Sequence, residues 1–125
     1  MTGQRAYSVY VGQIRDAVQH ALQFTAGLTE DQFVADDPTN YATLRVLEIV
    51  DEAAKRVPDQ IRDLDSTIPW QKMATVPGVM IDRYDEVNLT EVWNLVQGDP
   101  EEMLPRLERL QRQLERQEDE EWERG

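Results

Sequence analysis

Apolar residues recur at helical spacing along most of the chain. Tyr7, Val11, Ile14, Val18, Ala21 or Leu22, and Thr25 fall on one face, which predicts a helix over 7–25. A second line, Tyr10, Ala17 and Phe24, widens the stripe beyond that of an ordinary surface helix. Gly27 is a natural stop for it. Thr29-Glu30-Asp31-Gln32 then reads as a capping box opening a short helix with Phe33 and Val34, ended by Asp36-Asp37-Pro38. From about Thr39 to Val57 the residues Leu44, Leu47, Val50 or Ala54, and Val57 share a face, flanked by Val46, Ile49 and Ala53. Asp51 with Lys55 and Glu52 with Arg56 stand one turn apart as favourably ordered pairs, expected on the outside.

Pro58 ends that helix and can start a short one carrying Ile61 and Leu64. Ser66 to Trp70 is a connection that delivers a large aromatic to the core. Asn88-Leu89-Thr90-Glu91 has the cap spacing for another helix, with Val92, Trp93 and Val96, stopped at Gly98. Asp99-Pro100-Glu101-Glu102 repeats the device, and Met103, Leu104, Leu107, Leu110 and Leu114 form the stripe of a last helix. No strand-period run or internal repeat appears. The class is all-α, an up-and-down bundle of four to five helices over 1–116, with an acidic tail over 117–125 that is expected to fray.

One stretch breaks the pattern. Met73, Val76 or Pro77, Met80, Ile81 and Tyr84 have helical spacing, yet Pro77-Gly78 interrupts them. Proline in a helix interior costs about 3 kcal/mol and glycine about 1 kcal/mol relative to alanine. The helix is expected either to begin near Pro77 or to bend there. Such local conflicts concentrate at functional or altered sites.

Charge and composition narrow the setting. The chain has 125 residues, 13 basic against 25 acidic, a net charge of −12 and no cysteine. Thiol catalysis, disulfides and cysteine zinc sites are thereby excluded. No apolar run is long enough to span a bilayer, and the first residues lack the apolar core of a secretory signal, so no membrane partner and a cytoplasmic location are expected. A broad basic face for nucleic acid is not visible in so acidic a sequence.

Several segments, in order, carry a resemblance: Phe24-Thr25-Ala26-Gly27-Leu28-Thr29, then Leu47 to Pro58, Ile68-Pro69-Trp70, and Tyr84, Val87, Asn88-Leu89 and Val92-Trp93, followed by the leucine-rich last helix. Over roughly residues 7 to 114 the chain is similar to the HepT-like proteins of the HEPN superfamily. The resemblance implies a HEPN-type bundle that forms a homodimer. It implies the toxin of a toxin–antitoxin pair, a metal-independent endoribonuclease acting on RNA without a cofactor. The partner it implies is a minimal nucleotidyltransferase antitoxin, which in some pairs adenylylates the toxin.

The family's chemistry rests on Arg, four to six residues, His, any residue, Tyr. The His moves a proton as the RNA 2′-hydroxyl attacks the adjacent phosphate, the Arg holds that phosphate, and the Tyr hydroxyl accepts AMP. With Trp70 and Tyr84 in register, the His position falls on Asp82 and, with the four-residue spacing, the Arg position on Pro77. Only Tyr84 matches, as the AMP-acceptor candidate. A carboxylate repels phosphate and is a poor acid near neutrality, and proline has no charge. Arg83 is one residue past the His position, about 100° away on a helix. The family also usually has Gly where Asp51 stands. The nuclease is therefore expected to be inactive, leaving dimerisation and antitoxin binding, with RNA as a partner only if cleavage survives.

The remaining constellations are plainer. His20, the only histidine, is one turn after Asp16 and reads as a solvated residue beside a carboxylate. Glu48, Asp51 and Glu52 with Asp82, Asp85 and Glu86 lack the Glu-x-x-His pairs of a carboxylate-bridged metal centre, so no metal site is expected. Trp70 and Trp93 read as core or dimer aromatics rather than a base-stacking platform. Two other readings stay open: an active endoribonuclease with a rearranged site around Asp82-Arg83-Tyr84, and an acidic helical adaptor without a toxin role.

Overall fold

The computed structural model describes residues 6–74, 81–83, 86–87, 93–94, 96–97 and 100–124. Its long elements are α1 (Tyr7–Thr25), α3 (Asp37–Lys55) and a last helix, α6 (Pro100–Arg124). Between them lie the short α2 (Glu30–Ala35), α4 (Asp59–Arg62) with a 3₁₀ turn over Asp63–Asp65, and α5 (Trp70–Ala74). The fold is an all-α bundle, as the periodicity predicts.

Local signals set the boundaries. Gly27 adopts φ 77°, the left-handed conformation that glycine enters without a Cβ clash, just past the end of α1. The Thr29 hydroxyl accepts from the Gln32 amide at 3.2 Å, while Gln32 Oε1 accepts from the Thr29 amide at 2.9 Å, completing the capping box. Asp36 closes α2 and caps α3, accepting from the Thr39 amide at 3.2 Å, so α3 begins two residues earlier than expected. At the other end of α3 the Arg62 guanidinium donates to the Val57 and Ala54 carbonyls at 2.9 and 2.7 Å, tying α4 back to the end of that helix.

α1 lies between α3 and α6 and runs antiparallel to both. Ser8 at its start meets Glu118 near the end of α6, and Tyr10 meets Arg56 just past the end of α3, its ring centroid 5.9 Å from the guanidinium carbon. Val11, Ile14, Val18 and Ala21 of α1 are buried with Val46, Leu47, Val50 and Ala54 of α3 and Leu107, Leu110 and Leu114 of α6. Helical residues 93–94 and 96–97 close the opposite end. There the Trp93 ring lies 5.4 Å from the fully buried Phe33 ring, and Gln97 donates to Thr25 at 3.3 Å.

Four expectations are corrected. α5 ends at Ala74, and the chain is extended at Ile81–Arg83 (β1), which pairs antiparallel with Glu86–Val87 (β2) instead of continuing as helix. The sequence supplies the reason: in a continued helix a proline at 77 would clash with the carbonyl four residues back and disfavour helical backbone at the residue before it. Leu64 is exposed rather than packed. The acidic segment after 116 continues α6 as far as Arg124 instead of fraying. Asp51, expected outside, is buried at 5% exposure. It lies about three turns after the buried Asn40 and one turn after the buried Leu47, so all three share an edge of α3.

Candidate functional site

α5 positions the approach to the motif region. The Trp70 ring is buried, and its indole N–H donates to the Asp65 carbonyl at 3.0 Å. The Asp65 carboxylate in turn accepts from the Thr67 amide at 3.1 Å and from the Thr67 hydroxyl. Arg106 of α6 donates to that same hydroxyl, tying the turn before α5 to the last helix. Met73 is buried with Trp70, and α5 packs on α3. Trp70 is thus a core aromatic, anchored at both its ring and its N–H.

Of the motif positions, Asp82 falls on β1, between Ile81, which is in register with Val87, and Arg83, in register with Glu86. Pro77 and Tyr84 lie outside the described residues. The extended backbone changes the relation between neighbours. A helix turns successive residues by about 100°, whereas successive strand positions alternate between faces. A motif spaced for one helix face therefore loses that spacing at Asp82 and Arg83.

The buried polar group nearest in character to a site residue is Asp51. One carboxylate oxygen accepts from Lys55 Nζ at 3.1 Å, while the other is buried and has no hydrogen-bond partner among the described residues. Lys55 itself is exposed, so only one side of the carboxylate reaches toward water. The signal for this burial was present in the sequence: residue 51 continues the edge of 40 and 47. The family resemblance also marked the position, as one usually held by Gly.

Elsewhere the candidates separate. His20 stacks on Phe24 at 6.1 Å between ring centroids, while Asp16 binds Arg15 at 2.7 Å, so Asp16 is engaged by a neighbour other than the histidine. Glu48 pairs with Arg45 at 3.1 Å. Among the described residues no group of three His, Cys, Asp or Glu side chains is placed to hold a metal ion. Among the same residues no helix is long and apolar enough to cross a membrane.

Comparison with known proteins places this arrangement. The family model described as "Ribonuclease HepT-like" matches residues 14–115, from the second turn of α1 to the last core turns of α6. The chain belongs to the ribonuclease HepT-like family. It is 29% identical over 109 residues to "Probable ribonuclease HepT" of Thermococcus cleftensis, covering 87% of this chain and 99% of that protein. It is also 30% identical over 106 residues to a Methanocaldococcus jannaschii protein named "Gamma-glutamylcyclotransferase and putative RNase". That match covers 82% of this chain and 48% of the relative, so the HepT-like chain spans about half of it. No solved structure matches.

Proposed function

We propose that this HepT-like chain is the toxin-side component of a toxin–antitoxin pair, and that it acts by binding rather than by cutting RNA. It forms a homodimer and docks a minimal nucleotidyltransferase antitoxin in the cytoplasm, with Tyr84 as the AMP acceptor. The observation that carries this reading is the occupancy of the two charged motif positions by Pro77 and Asp82. The family's chemistry needs a cation to hold phosphate and an imidazole to move a proton near neutral pH, and neither residue supplies these. The extended backbone at Asp82 supports the same conclusion, because Arg83 cannot serve a helix-spaced motif from a strand.

The acceptor role is tested by incubating the protein with ATP and the nucleotidyltransferase encoded beside it, then measuring mass. A gain of one AMP per chain, abolished by Tyr84→Phe, is expected. Absence of the gain with a nucleotidyltransferase that modifies another HepT-like protein contradicts it. Sedimentation of the purified protein at twice the monomer mass tests the dimer separately.

A further inference from the structure

Among the cations, one group is set apart. Arg15, Arg45 and Lys55 pair with carboxylates, Arg56 lies over the Tyr10 ring, Arg62 caps α3, and Arg106 donates to Thr67. Only Arg109, Arg112 and Arg116 of the described basic side chains make no such contact with a described residue, and all three are exposed. They stand at i, i+3 and i+7 on α6, within an arc of about 60° and about 10 Å along the axis. Glu108 is one turn before Arg112 and Glu120 one turn after Arg116, yet neither forms an ion pair with a described residue. In a chain with 25 carboxylates, three neighbouring guanidinium groups without a described carboxylate partner are a local exception.

We propose that Arg109, Arg112 and Arg116 form a narrow ridge that holds the phosphate backbone of RNA. The planar guanidinium fork matches phosphate oxygens two at a time. The ridge is about 10 Å long, so each of its three guanidinium groups can meet a phosphate of one strand. Asp119, Glu120 and Glu123 follow on the same face and bound the ridge at one end. The net charge of −12 opposes long-range attraction of RNA, so the contact is short-ranged and weakens steeply with salt. This binding uses neither Pro77, Asp82 nor Tyr84, and it persists whether or not the chain cleaves.

The test is fluorescence anisotropy of a labelled single-stranded RNA of mixed sequence with the full chain, between about 50 and about 200 mM salt. The unmodified protein is expected to bind with a log–log salt slope of about −2, from three phosphate contacts. Joint Arg109→Gln, Arg112→Gln and Arg116→Gln should weaken binding at the lower salt by about tenfold or more and flatten the slope. Arg15→Gln with Arg45→Gln should leave both nearly unchanged. No binding by the unmodified protein, or equal binding by the triple variant, overturns the proposal. So does a triple variant that alters only sedimentation mass, which would assign the ridge to contact between copies of the chain.

Discussion

Glu118 holds the first turn of α1 from the far end of the chain: the Ser8 amide and hydroxyl both donate to its carboxylate, at 3.1 and 2.5 Å. α1 has no side-chain cap of its own, because Ala6 occupies the cap position and its first turn carries no acid. A carboxylate at a helix N-terminus satisfies amides that lack a partner within the helix and opposes the positive end of its dipole. The same contact keeps α6 helical beyond its leucine stripe. Glu118→Ala is expected to lose about 1–2 kcal/mol of stability. A fall in the urea midpoint at unchanged slope measures it, and an unchanged midpoint contradicts the capping role.

Asp51 and Lys55 should respond in opposite directions. Lys55→Ala removes the one cation on a buried carboxylate, and a loss of about 1–2 kcal/mol is expected, limited by the exposure of Lys55. Asp51→Ala removes the buried oxygen that has no partner among the described residues as well as the charge, and should be neutral or stabilising. Urea titrations of both variants check the pair. Equal destabilisation by the two would mean that Asp51 has a donor opposite its second oxygen.

Gly12 is buried in the middle of α1, where a Cβ would come within 2.7 Å of Gln111 Nε2. That atom is the end of a flexible side chain whose Oε1 is already buried without a partner among the described residues. Gly12→Ala should therefore move Gln111 aside and gain about 0.5 kcal/mol from helix propensity. Gly12→Leu should destabilise by about 1–3 kcal/mol, because more than a carboxamide must then move. Thermal melts of the two variants give the sign directly.

Phe33 has no exposed surface and its ring lies tilted against Trp93. Phe33→Ala is expected to cost about 3–5 kcal/mol, from lost burial, the cavity left behind and the lost ring contact. Unfolding followed by tryptophan fluorescence should show a lowered midpoint. A midpoint within error of the unmodified protein would remove α2 from the core.

Most of the bundle was legible because its signals are local. Gly27, the Thr29–Gln32 box, Pro100 and the leucines of α6 each fix a boundary or a buried face through contacts within a turn or two. Asp51 reads as an outside residue because its pairing with Lys55 is local, whereas its burial depends on which edge of α3 meets the other elements. Pro77-Gly78 marks the stretch after Ala74 as irregular, yet the pairing of Ile81 with Val87 depends on a register that no short apolar pattern specifies. Glu118 looks like part of an acidic tail in the sequence because its partner, Ser8, is nearly the whole chain away.

The most direct test of the account is RNA cleavage by the unmodified protein beside a variant carrying Pro77→Arg and Asp82→His. The account predicts that the unmodified protein leaves RNA intact while the variant gains cleavage. Cleavage by the unmodified protein at a rate equal to the variant's would contradict it and place the chemistry on residues that are present, with Asp82 first among them.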